Sequence, residues 1–143
     1  MKYLLDTNII SEFVSKKPNQ KVLNYVNSLD ENDIYLSVIT IGEIRFGIEK
    51  LDKEHQTKKI EILTNWLDND LMQRFEGRIV DIDKQTMLKW GEINGQLQKM
   101  GRPMPIMDSL IASSCLAKGF VLITRNTKDF YSFEMEMVNP FLK

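Results

Sequence analysis

The strongest constraint on this chain is the way its apolar residues change period. Short continuous apolar runs alternate with stretches in which apolar residues recur every three or four positions. A run of four to six apolar residues bounded by turn residues reads as a buried strand, and a three-to-four repeat reads as a helix face. Residues 2–5 form the first run. Ile9, Ile10, Phe13 and Val14 then suit a short helix, and Pro18 stands near the start of a second one carrying Val22, Tyr25, Val26 and Leu29. Residues 34–39 read as a second strand, followed by helical spacing at Ile41, Ile44, Ile48 and Leu51. A longer amphipathic stretch, 54–72, carries Ile60, Leu63, Leu67 and Leu71. Residues 78–82 give a third strand, and Met87, Trp90, Ile93, Leu97 and Met100 a helix over 84–100 that Gly101 stops. A helix over 110–118 ends at Gly119, residues 120–124 form a fourth strand, and 135–138 a fifth. Strands interleaved with helices predict an α/β fold. The expected architecture is one domain over residues 1–143, a mostly parallel sheet of four to five strands with helices on both faces.

Four acids fall where strand-like or proline-marked segments give way to turns or helix starts. Asp6 follows the first run, Glu43 follows the second by one short step, Asp108 follows Pro103 and Pro105, and Asp129 follows the fourth run. In an open parallel sheet, ligands bind just beyond the carboxyl ends of the strands. Carboxylates gathered there repel one another unless a cation sits among them, and a hard divalent ion is the natural resident of an all-oxygen site. That chemistry points to metal-assisted attack on a phosphate ester.

Each acid also has a structural reading. Thr40-Ile41-Gly42-Glu43 fits a capping box, with Glu43 bonding back to the Thr40 amide. Asp108 can be the N-cap of the helix through Leu110. Asp129 can be a first-turn acid after a cap at Asn126. Capping accounts for an acid at one helix start, not for four acids on the same edge of one sheet, and one carboxylate can serve both purposes.

Composition narrows the remaining classes. With 19 basic and 20 acidic residues, the net charge of −1 argues by itself against a nucleic-acid partner. If four of the acids are committed to a cation, however, the bases outnumber the rest. No run reaches 18 apolar residues, so no membrane span is expected. Met1-Lys2 leads straight into the first strand rather than into a signal peptide. Cys115 is the only cysteine, which excludes an internal disulfide and fits a reducing, cytoplasmic compartment. Neither a G-x-G-x-x-G nor a P-loop pattern occurs. Asn8 stands where a haloacid-dehalogenase-type phosphatase would want a second aspartate, and the adjacent acidic pair of a receiver domain is missing.

The motifs resemble those of PIN-domain ribonucleases, specifically VapC-type toxins of type II toxin–antitoxin systems. The resemblance rests on Leu4-Leu5-Asp6-Thr7-Asn8, on the segment from Thr40 through Glu43 to Gly47, on Pro105-Ile106-Met107-Asp108-Ser109-Leu110-Ile111-Ala112, and on the segment from Leu122 through Thr124-Arg125-Asn126 to Asp129-Phe130. These span nearly the whole chain in the family's order. The resemblance implies Asp6, Glu43 and Asp108 as core acids, Asp129 at a more variable fourth position with Asn126 as its substitute or helper, and Mg²⁺ or Mn²⁺. It also implies an RNA substrate, a homodimer and inhibition by a small VapB-type antitoxin.

Thr7, Asn8 and Thr124 offer further oxygen donors near the acids, and Ser109 can bond either metal waters or its own backbone. Arg45, Arg102 and Arg125 lie near the motifs and can grip substrate phosphates. His55, the only histidine, sits on a polar stretch and reads as solvated surface. Two other classes remain open: a catalytically inactive, metal-holding binding or regulatory module, and a metal-dependent phosphatase. A metal-dependent digest of single-stranded RNA, set against a phosphomonoester, separates all three.

Overall fold

The computed structural model describes residues 1–142. Its core is a five-stranded, wholly parallel sheet in the order β3-β2-β1-β4-β5. The strands are β1 (Lys2–Leu5), β2 (Ile34–Ser37), β3 (Ile79–Val80), β4 (Phe120–Ile123) and β5 (Met137–Val138). Around them run α1 (Thr7–Ile10), α2 (Gln20–Asn27), α3 (Val38–Glu49), α4 (Thr57–Asn65), α5 (Met72–Arg74), α6 (Lys84–Lys99) and α7 (Ile106–Lys118). The α/β class, the parallel sheet and the fifth strand agree with the sequence reading.

The strands show why both faces need helices. Successive side chains on a strand point to opposite sides. Leu5, Val121 and Ile123 enter one core with Ile9, Val22, Val26, Ile48, Leu67, Leu71 and Phe75. Leu4, Phe120 and Leu122 enter the other with Leu97, Ile111, Ala112, Cys115, Phe130 and Phe133. A strand apolar on both faces cannot meet water on either, so α2, α3 and α4 cover one side while α6 and α7 cover the other. Burial pushes the Cys115 thiol far above its ordinary range, consistent with a small apolar filler. Met104, Met135 and Met137 also fill gaps in this second core, whereas Met100 and Met107 are exposed.

Several boundaries differ from the sequence reading, each for a local reason. The second strand stops at Ser37, two residues early, because the Ser37 hydroxyl accepts from the Ile39 amide at 3.0 Å and caps α3. Thr40 is therefore already helical, and the capping box read at Thr40 and Glu43 does not form. The last major helix begins at Ile106, so Asp108 lies in its first turn and is not its N-cap; Pro105 holds that position without a side-chain bond. The amphipathic stretch over 54–72 starts only at Thr57 and carries a π-helical turn at Trp66–Leu71, which sends both Leu67 and Leu71 inward. Gly119 ends α7 in the left-handed region (φ 74°), its amide donating to the Cys115 carbonyl at 2.8 Å.

Candidate metal centre

Strand order reverses on either side of β1: the chain moves outward through β2 and β3, then returns to place β4 on the other side. The gap beyond the carboxyl ends of β1 and β4 is thus the topological switch point, where open α/β sheets bind ligands. Asp6 leaves β1 there, 8 % exposed, and its amide donates to the Ile123 carbonyl at 2.9 Å. Both of its carboxylate oxygens are held. Oδ1 accepts from the Thr7 amide at 2.8 Å, and Oδ2 accepts from the Thr124 hydroxyl at 2.8 Å and from Asn8 Nδ2 at 3.2 Å. Asn8 Oδ1 in turn accepts from the Arg125 amide at 3.0 Å, and the Thr124 hydroxyl accepts from the Asn126 amide at 3.1 Å. The Asp6-Thr7-Asn8 and Thr124-Arg125-Asn126 segments therefore lock together, 118 residues apart in sequence.

Glu43 arrives from α3. Its Oε1 accepts from the Thr7 hydroxyl at 2.7 Å, and Thr7 Oγ1 lies 3.2 Å from Thr40 Oγ1. Glu43 is thus oriented by a residue of the first motif and not by the amide of Thr40. Thr40 itself was missed as a site residue; its place one turn before Glu43 on α3 was legible once the true helix start was known.

Asp108 shows that the acids converge. Its carboxyl is pushed above the ordinary carboxylate range, first by burial and then by the charges of Asp6, Asp129 and Glu43. All three other acids act on this one group, and no cationic side chain offsets them there. Asp129 sits in the turn Thr127–Phe130, its amide bonded to the Asn126 carbonyl at 3.0 Å. Asn126 enters the network through its backbone, whereas Asp129 enters through its charge.

The donor set fits a hard divalent cation: four carboxylates ringed by amide and hydroxyl oxygens, with no thiolate or imidazole among them. Among the described residues, the one set of three carboxylate or histidine ligand atoms drawn within 4.8 Å of one another lies elsewhere, at the exposed Asp52, Glu54 and His55. That set is a turn already using its own donors. Asp52 accepts from the Glu54 amide at 2.9 Å and sits 2.6 Å from His55 Nδ1. No three of the four acids bring ligand oxygens that close, although Asp108 feels the charge of the other three.

The arginines are less available than their positions in sequence suggest. Arg45 pairs with Glu49 at 2.8 Å, one turn along α3. The Arg125 guanidinium lies 4.8 Å from the centre of the Phe141 ring. Arg102 is exposed and contributes its amide to the end of α6 through a 2.8 Å bond to the Leu97 carbonyl. Ser109 bonds its own backbone, donating to the Ile106 carbonyl at 2.9 Å, and also accepts from Trp90.

This arrangement of sheet order and acids is that of a PIN domain, and the chain belongs to that family: the PIN domain description matches residues 3–134. Its relatives within the family include a protein named as a toxin and others named as ribonucleases. Over 138 residues it is 31 % identical to Toxin FitB of Neisseria gonorrhoeae, covering 96 % of this chain and 97 % of the relative. It is 29 % identical to VapC ribonuclease Y4jK of Sinorhizobium fredii, covering 96 % of each. Among solved structures, FitAcB from Neisseria gonorrhoeae superposes with a TM-score of 0.88 at 31 % identity, over 97 % of this chain and 98 % of that one.

Proposed function

We propose that this chain is a VapC-type toxin: an endoribonuclease that depends on Mg²⁺ or Mn²⁺ and is held inactive by a small VapB-type antitoxin. The observation that carries the reading is the gathering of acids at the switch point of the sheet, where Asp6 is held by Thr7, Asn8 and Thr124, Glu43 by Thr7, and the half-buried Asp108 is raised first by burial and then by the charges of Asp6, Asp129 and Glu43. A protein gains nothing in stability from such a group; it gains a place for a cation. The names of its relatives, a VapC ribonuclease among them, supply the substrate class.

Asp6, Glu43, Asp108 and Asp129 are the proposed ligands and catalytic acids of one functional unit over residues 1–143. A bound divalent ion supplies charge neutralisation and an acidified water. Asp6 is the fixed member, because hydrogen bonds from Thr7, Asn8 and Thr124 hold both of its oxygens. Glu43 has only Oε1 committed to Thr7, so Oε2 is suited to orient the attacking water and take its proton. Asp108 and Asp129 complete the negative pocket. Arg102 is exposed, whereas Arg45 pairs with Glu49 and Arg125 lies over Phe141, so Arg102 is the candidate of the three to meet substrate phosphates.

Phe46 and Met107 stand exposed beside an apolar groove of 680 Å³ that also touches Thr7 and Glu43. A partner seated there would cover Glu43, which supports inhibition by antitoxin. No described helix is long and apolar enough to cross a membrane, in keeping with a cytoplasmic toxin.

The test is cleavage of single-stranded RNA by the purified chain with Mg²⁺, with Mn²⁺ and with chelator, beside a phosphomonoester. Metal-dependent internal cleavage of RNA is expected. Release of phosphate from the monoester alone would make it a phosphatase. Metal binding with neither reaction would leave a binding module.

A further inference from the structure

The helix that carries Asp108, α7, starts without a side-chain cap, because Pro105 occupies the N-cap and offers no hydrogen-bonding group. The first turn of such a helix frays unless something else holds it. Here the neighbouring helix does. Trp90, half-buried on α6, donates its indole Nε1–H to the Ser109 hydroxyl at 2.9 Å. That hydroxyl, on a residue 0 % exposed, donates onward to the Ile106 carbonyl at 2.9 Å. The Ser109 amide meanwhile donates to the Pro105 carbonyl at 3.0 Å, and the Ser109 carbonyl accepts from the Ser113 hydroxyl at 2.7 Å. Ser109 is therefore bonded in both directions along α7 and sideways to α6. Asp108 is the residue immediately before it.

Trp90 is itself well anchored. Its carbonyl accepts from Asn94 Nδ2 at 2.9 Å, and α6 is capped by Asp83, which accepts from the Thr86 amide at 2.9 Å. Asp83 also pairs with Lys118 at the far end of α7. The two helices are thus cross-linked at both ends of α7: by an ion pair at its last turn, and by the indole–hydroxyl bond at its first. An exposed ion pair contributes little to geometry. A hydrogen bond to a fully buried hydroxyl is strongly directional and is costly to leave unmade.

We propose that Trp90 and Ser109 form a latch that positions Asp108: the indole fixes the Ser109 hydroxyl, the hydroxyl fixes the Ile106 carbonyl, and the first turn of α7 holds the Asp108 carboxylate against the repulsion of the other three acids. The proposal rests on the reading of Asp108 as a cation ligand given above. Trp90 and Ser109 are positioning residues; neither touches substrate. A group that must be held close to like charges needs stiffer support than an ordinary helix start, and partners outside the ligand set commonly change metal affinity by about 10–100-fold.

The test uses the full chain in four forms, wild type, Trp90→Phe, Ser109→Ala and the double variant, with Asp108→Asn alongside. Mn²⁺ binding to each metal-free protein is followed by calorimetry without RNA. The chain has two tryptophans, so its indole N–H groups give two resolvable NMR signals. Trp90→Phe assigns one of them, and Ser109→Ala should move that signal upfield as its hydrogen bond is lost. Each single variant is expected to weaken Mn²⁺ binding about 10-fold, with the double variant no weaker than the worse single, since both remove the same bond. In RNA cleavage, kcat at limiting Mn²⁺ should fall while KM for RNA stays put. Wild-type Mn²⁺ affinity in Trp90→Phe and Ser109→Ala, together with lost affinity in Asp108→Asn, overturns the latch and leaves Asp108 as a ligand. So do additive effects in the double variant. Retained affinity in Asp108→Asn removes the ligand itself and the latch with it. If Trp90→Phe fails to fold, Ser109→Ala decides from the other side of the same bond.

Discussion

Charge is concentrated in two regions of this molecule, and they are built on opposite rules. Beside β2 and β3, Arg74 and Arg78 close on Glu31: Arg74 Nε lies 3.0 Å and Arg78 Nη2 3.3 Å from its carboxylate. Arg78 also donates to the Glu31 carbonyl at 2.5 Å, to the Ile34 carbonyl at 2.7 Å and to the Arg74 carbonyl. Hydrogen bonding to Arg74, outweighing some desolvation, pulls the Glu31 carboxyl below its usual range. At the switch point the carboxylates have only neutral donors, and Asp108 is pushed the other way. A cluster that satisfies itself is structural. One that holds like charges together with neutral hydrogen bonds is organised for a ligand of opposite sign.

The comparison breaks most visibly at the acids. Asp108→Asn should fold and lose RNA cleavage by more than about 10²-fold, beyond what outer partners of a metal site contribute. Full activity in the purified variant removes Asp108 from the site. Glu43→Gln should follow with a loss of roughly 10²-fold and, since the bond from Thr7 is kept, a stability within about 1 kcal/mol of wild type. Gln keeps the bond from Thr7 but not the charge, so unchanged cleavage by this variant sinks the catalytic role of Glu43.

At the paired cluster the balance should reverse. Arg78→Met leaves several backbone carbonyls without their donor and should cost about 2–3 kcal/mol in denaturant unfolding, with cleavage per folded molecule unchanged. A selective loss of activity would show that the two regions are not independent.

A subtler effect concerns pH. Because the folded pKa of Asp108 is raised, its favourable contribution is present below the ordinary aspartate range and is lost as pH rises through the folded value. In metal-free buffer the wild type should lose stability as pH rises above the ordinary aspartate value near 3.8, and Asp108→Asn should lose less. Parallel thermal melts for the two proteins would contradict this. The smallest effect is expected at Asp83, where the bond from Lys118, then that from the Thr86 amide, lowers the pKa to about 2. That contribution is present above the ordinary aspartate value near 3.8 and disappears as pH falls towards 2. The stability of Asp83→Asn should therefore converge with wild type in strong acid, and a gap that persists there would rule the assignment out.

Much of the candidate site was legible in the residues. Asp6, Glu43, Asp108 and Asp129 could be picked out because each follows a strand-like or proline-marked segment, and Asp108 registers the charges of the other three. Less legible were the roles. Thr40-Ile41-Gly42-Glu43 satisfies the capping-box pattern, yet Ser37, the last residue of β2 and paired with Val80 of β3, caps the helix three residues earlier. Trp90 was legible only as one member of an apolar helical stripe. Its indole bond to Ser109 crosses between helices, and no spacing within α6 announces it.

What the sequence determined by itself was periodicity and chemistry. Alternating apolar runs required a parallel sheet covered on both faces, because a strand apolar on both sides has no face to give to water. The oxygen-only donor set required a hard cation if it held one at all. The tertiary structure decided which of these groups meet. Strand order brought Thr124 to Asp6 across 118 residues, the crossover through α3 brought Glu43 to Thr7, and the pairing of α6 with α7 brought Trp90 to Ser109. A hydrogen bond depends on position to within a few tenths of an ångström. Sequence patterns fix the order and faces of the elements, and only their packing sets distances on that scale.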